Sequence, residues 1–227
     1  LSVNVTFYEA KYKLEYSTDQ QTATLGYPPE FAIYTQPENF IESNNTLIKN
    51  KAFALIRNST DPFYIAEKMY NFALSYVTYR SQQDIRGALW ALQNGTGDCT
   101  EFGTLFVALM RAVGIPARTV IGHVAGELAN GGIANASSLS WVRSPHLWAE
   151  FYVDGYGWIP VDPTNGRRQP SRHFGITWGY YLPFIKGPTM DDPSDTLVYV
   201  RYTPETRIKY ESYLVVTPLA SFPFDDK

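Results

Sequence analysis

"GDCTEFGTLFVALMRAVGIPARTVIGHV", residues 97–124, encodes a helix start, a helix stop and a strand in one continuous run. Asp98 is of the type that caps a helix N-terminus, and Glu101, three positions on, completes a capping box. The apolar run "TLFVALMRAV" carries the helix to Gly114, a good C-terminal cap, with Pro116 just beyond. "ARTVIGHVAG" then reads as a strand. Cys99, the single cysteine of the chain, falls in the first turn of this helix. Free backbone N–H groups and the helix dipole favour an anion there. A thiol so placed can ionise at a pKa of about 3.5–7.5 and act as a nucleophile at neutral pH. The competing reading of a lone cysteine is a buried, inert side chain.

A cysteine nucleophile needs a base, and the base needs an orienting group. The three histidines are His123, His146 and His173. His146 opens the strand "HLWAEFYV", in which His146, Trp148, Glu150 and Tyr152 share one face. Leu147, Ala149, Phe151 and Val153 share the other. The turn "DGYG" returns the chain as "WIPVD", a β-hairpin that ends at Asp162. Folding at Gly155–Gly157 brings Asp162 back towards His146, where it can accept the imidazole N–H and stabilise its charge. Asp154 sits at the wrong end of the hairpin, and His123 and His173 read as structural or exposed.

Upstream, residues 3–16 alternate as a strand, and "YPPEF" and "TQPENF" read as turn or extended segments. Residues 45–57 are predicted helical. A second helix follows, with Ser59 or Thr60 as its cap, Pro62 in its first turn and a stripe of Ile65, Met69, Phe72 and Tyr76. "DIRGALWALQNGTG" is a short helix and a turn. Residues 126–144 form a long loop and residues 164–194 an irregular aromatic stretch. "TLVYVRYTP" and "IKYESYLVVTP" read as closing strands.

Composition narrows the class. The 227 residues are 44% hydrophobic and 18% charged, with a net charge of −3 and 17 tyrosines. That supports a core without staples. No basic stripe points to nucleic acid, and no run of about 18 apolar residues points to a membrane span. One cysteine excludes a disulfide framework and a cysteine-rich zinc site. "MDDPSD", residues 190–195, lacks the spacing of a calcium loop and reads as a solvated turn, so neither metal nor cofactor is expected. Sequons stand at Asn4, Asn44, Asn58, Asn94 and Asn135, where chance would place about one or two. The excess predicts a glycosylated, extracytoplasmic protein, secreted or held by a membrane tether outside the given chain.

"GDCTEFGTLFVALMRAVGIPARTVIGHV" resembles the pattern of transglutaminase-like domains, in which a G-x-C helix leads through R-x-x-G-I-P-A-R into a strand. "HLWAEFYVDGYGWIPVDPT" resembles its second half, and the blocks stand in the family's order over about residues 60–165. The resemblance implies an α+β, papain-like core with the cysteine helix packed on an antiparallel sheet. It implies a triad of Cys99, His146 and Asp162, none of them substituted here. Gly114, Ile115, Pro116 and Ala117 turn the chain from helix to strand, Arg118 reads as an ion-pair partner in preference to a group that approaches substrate, and Trp148 as a wall of the site, with a core tryptophan as the alternative. An oxyanion donor is expected upstream of the cysteine. Tyr79, Gln82, Gln83 and Gln93 are all able, and Tyr79 is preferred because "YVTY" resembles the family's segment there. The expected organisation is a β or extended N-terminal segment (1–44), a catalytic core (45–190) and C-terminal strands packed on it (191–227). The expected chemistry is thioester acyl transfer on a protein or peptide amide, by a peptidase or amidase, with a cross-linking transglutaminase or a non-catalytic binding domain as alternatives.

Overall fold

The computed structural model describes residues 10–11, 27–125, 142–177 and 181–187. Most of the strand expected at 3–16, most of the loop at 126–144, the acidic turn and both closing strands lie outside the described residues.

Two helices open the core. In α1 (Thr46–Ile56) the Asn45 side chain accepts the Leu47 N–H at 2.9 Å, and Ile48, Ala52 and Ile56 form one buried line at helical spacing. Arg57 ends the helix in the left-handed region at φ 49°. In α2 (Pro62–Tyr76) the cap is Asp61, not Ser59 or Thr60. Asp61 wins because Pro62 holds the first-turn φ and one carboxylate oxygen takes both the Phe63 and the Tyr64 N–H, at 2.8 and 3.1 Å. The buried stripe of α2 runs through Ile65, Ala66, Met69, Tyr70 and Ala73. Phe72 and Tyr76, expected in it, stack on each other at the flank with ring centroids 4.8 Å apart.

After the short strand β2 (Thr78–Tyr79), α3 (Gly87–Asn94) ends at Gly95, which takes φ 64°, and β3 (Thr96–Gly97) pairs parallel with β2. Then comes α4 (Cys99–Ala112), the centre of the molecule. Every residue from Glu101 to Arg111 is buried. A helix buried on all sides must have cover on all sides: α1, α2 and α3 pack on it from one direction and the sheet from the other. Glu38 and the backbone of Gln36 hold the buried Arg111 guanidinium at 2.7 and 2.8 Å. These contacts tie residues 27–44 onto α4. That stretch, expected to be β or extended, contains a 3-10 helix at Pro29–Thr35. Its Phe31 ring lies 4.0 Å from that of Tyr152 and its Tyr34 ring 4.8 Å from that of Trp158.

The main sheet has the order β6-β5-β4-β8, antiparallel throughout. Its strands are β4 (Ala117–Ala125), β5 (Val142–Val153), β6 (Gly157–Val161) and β8 (Tyr181–Lys186). A minor pair joins β1 (Ala10–Lys11) to β7 (Ile176–Thr177). The hairpin forms as expected, with Val153 opposite Gly157 and Ala149 opposite Val161. Leu147, Ala149, Phe151 and Val153 enter the main core. Trp148 instead joins Val120 and Tyr181 in a second cluster. β8 falls within the stretch read as irregular. It carries Pro183, which cannot donate to a ladder, and it is tolerated because β8 is an edge strand.

Candidate active site

The site is assembled where the start of α4 meets the β5–β6 hairpin. The capping box at the helix start is complete. Asp98 accepts the Thr100 N–H at 3.1 Å and Glu101 accepts the Asp98 N–H at 3.0 Å. Glu101 also accepts the Arg86 and Gly87 N–H groups at 2.9 and 3.3 Å, and Asp98 accepts the Gln82 N–H at 3.0 Å. Burial pushes the Glu101 carboxyl up, against the pull of the amides that it accepts. This lattice fixes the backbone around Cys99, whose thiol is partly buried at the first helical position.

His146 lies across from that thiol. Its Nε2 is 2.8 Å from Asp162 Oδ2, and its ring stacks on Trp148 with centroids 6.1 Å apart. With Nε2 committed to Asp162, Nδ1 is the nitrogen left for the sulfur. Burial alone would lower the imidazole pKa. The Asp162 charge and hydrogen bond, with the Cys99 thiol adding to them, outweigh burial and raise it to about 10. The side chain is only 11% exposed, so water screens the pair little.

Asp162 is held more tightly than the sequence indicates. Its Oδ1 accepts the Thr164 and Asn165 N–H groups, each at 3.0 Å. Its Oδ2 accepts the Tyr181 hydroxyl at 2.6 Å and the Asn165 side-chain amide at 2.8 Å, besides His146. Burial would raise this carboxyl. The His146 charge and the donated hydrogen bonds hold it well below the usual carboxylate range. Asn165 also donates to the Tyr181 hydroxyl at 2.9 Å, and the Tyr181 ring meets Trp148 edge-on at 5.1 Å. Sequence reasoning missed both residues. The Asp-Pro-Thr-Asn order is an Asx-turn signal that could have flagged Asn165. Nothing local marks Tyr181, which arrives on β8 from 19 residues away.

The other expected residues are placed as follows. Trp148 is 5% exposed and packs against His146 and Tyr181, so its indole supports the imidazole instead of forming an open wall. Tyr79 is 45% exposed and pairs with Gly97, two residues before the cysteine. Partial burial, then the charges of Cys99 and Asp98, raise its phenol. Gln82 turns its side chain to the Arg80 carbonyl at 3.2 Å, and Gln83 and Gln93 are exposed. His173 is buried behind Asp162, its carbonyl taking the Asp162 N–H at 2.9 Å and its Nδ1 lying 3.5 Å from the Tyr181 hydroxyl. Backbone pairing puts His123 opposite Pro145. Glu150 is committed to Arg118 at 2.6 Å and Lys186 at 2.9 Å, which removes it as a partner for His146. Asn44, Asn58 and Asn94 are exposed, while Asn4 and Asn135 lie outside the described residues. Among the described residues no cluster of His, Cys, Asp and Glu could hold a metal, and no helix is long and apolar enough to cross a membrane.

Comparison with known proteins gives consistent relatives. Over 133 residues, 58% of this chain, the sequence is 27% identical to the uncharacterized protein YebA of Bacillus subtilis, covering 17% of that protein. Over 69 residues it is 36% identical to a protein-glutamine gamma-glutamyltransferase of Pseudomonas aeruginosa, covering 30% of this chain and 10% of that one. The chain therefore spans a small part of the curated relatives it matches. The structure of a candidate cysteine protease from Cytophaga hutchinsonii is similar with a TM-score of 0.57 at 18% identity, over 78% of this chain and 52% of that one. At that identity the likeness is one of fold. The family model of the transglutaminase-like superfamily matches residues 49–163, half of the chain, a span that holds Cys99, His146 and Asp162. The chain belongs to the transglutaminase-like superfamily.

Proposed function

We propose that the protein is a thiol-dependent acyl-transfer enzyme that opens a peptide or carboxamide bond through a Cys99–His146–Asp162 triad. The observation that carries this reading is the His146 Nε2–Asp162 Oδ2 contact of 2.8 Å, on a ring that interacts with the Cys99 thiol at a helix N-terminus.

The roles follow from the environments. Asp162 remains anionic and keeps the imidazole in one orientation. A protonated His146 pairs with Cys99, whose thiolate is the attacking species. The thiolate attacks the carbonyl carbon, and the carbonyl π pair moves onto oxygen. The Cys99 N–H and the Tyr79 hydroxyl stabilise that oxyanion. Collapse breaks the C–N bond, and His146 gives its proton to the leaving amine. A thioester remains on Cys99. Water, deprotonated by His146, then attacks the thioester, and cleavage of the C–S bond releases the acid and restores the thiolate beside the protonated His146. An amine in place of water gives a new amide. That second reading is favoured by the 36% identity to the Pseudomonas aeruginosa gamma-glutamyltransferase.

Peptide hydrolysis and hydroxylamine incorporation, measured side by side on wild type and Cys99→Ala, test the proposal. Turnover of either kind, absent in the variant, is expected. A wild-type protein inert in both assays would make the domain a binding module. The sequon excess, with Asn44, Asn58 and Asn94 all exposed, supports extracytoplasmic residence. Mass spectrometry of protein from its native source tests that part, and unmodified peptides across all five sites would argue against it.

A further inference from the structure

Arginine on a surface loop ordinarily samples many rotamers, and ordering it costs side-chain entropy. Arg167 is ordered before any ligand arrives. It sits in the 3-10 turn Asn165–Arg167, five residues after Asp162 in the chain. The turn itself is pinned. Gly166 is buried, and a Cβ there would run into the Tyr70 hydroxyl. Tyr70 is fixed in turn by its hydrogen bond to the Pro170 carbonyl at 2.9 Å. Arg167 Nε then donates to the Thr164 carbonyl at 2.8 Å. The guanidinium lies over the Tyr79 ring at 4.4 Å and within 5.3 Å of the Phe102 ring centroid.

Those two rings mark the position. Tyr79 pairs with Gly97, just before Cys99, and Phe102 follows Cys99 by one helical turn. The cation therefore stands beside the start of α4, against two rings that flank Cys99 in the fold. Its bonds use the Nε and the faces of the group. Among the described residues neither terminal nitrogen has a hydrogen-bond or ion-pair partner. An exposed arginine tied down by one edge and its faces, with its terminal nitrogens unspent, matches the planar fork that takes a carboxylate by two parallel bonds. Exposed Arg168 adjoins it and adds positive potential on a chain of net charge −3.

We propose that Arg167 is the specificity-determining residue of the site, binding a carboxylate on the acyl donor next to the amide that reacts with Cys99. The inference rests on the acyl-transfer reading above and names its substrate class: acidic peptides in preference to neutral ones. A side chain serving only as a clip between the 3-10 turn and β2 would affect all substrates alike.

The test uses three peptides: acetyl-Ala-Gln-Ala-amide, acetyl-Glu-Gln-Ala-amide and acetyl-Ala-Gln-Glu-amide. Wild type should prefer one acidic peptide to the neutral one by about 10- to 100-fold in kcat/KM, mostly through KM. Arg167→Gln should erase that preference by lowering kcat/KM far more on the acidic peptide than on the neutral one, while Arg167→Lys should restore part of it. Equal rates on all three peptides in wild type, or an equal loss on all three in Arg167→Gln, would overturn the proposal. If wild type turns over none of them, the acyl-transfer reading fails by itself. Equilibrium binding of the same peptides, fluorescein-labelled, to Cys99→Ala protein with and without Arg167→Gln then decides the carboxylate question. A Glu-over-Gln preference that the second substitution abolishes sustains it, and no preference or no binding overturns it.

Discussion

Cys99 and His146 make and break bonds in the proposed reaction, whereas Asp162 acts only through His146. Cys99→Ala should therefore abolish turnover and His146→Ala should nearly do so. Asp162→Asn should leave a folded protein working roughly 10²–10⁴-fold slower. Because the three act as a unit, Cys99→Ala with Asp162→Asn should be no worse than Cys99→Ala alone. A wild-type rate in Asp162→Asn would disprove the pairing. Tyr181→Phe is the subtler case. It removes one donor from Asp162 Oδ2 and leaves four others in place. The carboxylate becomes the stronger base and His146 keeps its proton to higher pH. The alkaline limb of the kcat/KM profile should move up while the rate falls roughly two- to tenfold. An unmoved limb would show that the hydroxyl is a packing contact. This tyrosine also shows where sequence reading stopped. Cys99 and Asp162 were legible because each sits at a marked end, a capped helix start and a hairpin end, and His146 because strand alternation separates it from the core-facing residues. The strand start expected at His146 was misplaced, since β5 begins at Val142, within the stretch read as a loop. Tyr181 is set by tertiary pairing of β8 with β4, and no local pattern encodes that pairing.

At the scale of elements, local signals fared best where the backbone itself demanded a residue type. Asp98, Glu101 and Gly114 bounded α4 correctly, and Gly114 takes φ 83° just past its end. The stripe on α2 was right at Ile65 and Met69 and drifted to the flank at Phe72 and Tyr76, because the burial of one helical face is decided by what packs on it, here α4 and β5, and not by periodicity alone. The start of α4 has a further constraint that the sequence does not advertise. A Cβ on Gly97 would collide with the Cβ of Glu101, an atom fixed to the helix backbone. Gly97→Ala should displace the capping carboxylate and cost about 1–3 kcal/mol of stability. It should also lower activity, since the amide of Cys99 moves with the cap. Thermal unfolding and peptide turnover of the single variant check both, and a stable but inactive protein would mean that only the oxyanion donor shifts.

For the whole molecule, the His146–Asp162 pair links stability to pH. The folded imidazole pKa, about 10, lies above its unfolded value of about 6.5. Its contribution is full below about 6.5 and is lost as pH rises through about 10. The Asp162 carboxyl is shifted down, so its contribution is present above about 3.9 and is lost as pH falls through the folded value. The two shifts describe one pair and count once. The difference in Tm between wild type and His146→Gln should accordingly shrink as pH rises from 6.5 to 10. A constant difference across that range would remove the charged pair from the account of stability.

The burial of α4 has a consequence for how the molecule comes apart. With every residue from Glu101 to Arg111 enclosed between helices and sheet, its amide protons have no route to solvent by fraying. Deuterium uptake at Leu105 to Met110 should require opening of the entire domain, with exchange free energies equal to the global unfolding value from denaturant titration. Amides on the exposed face of α1 should exchange through much smaller openings. If so, the cysteine cannot drift away from its histidine while the rest of the fold survives. Heat would then remove the chemistry and the architecture in a single transition.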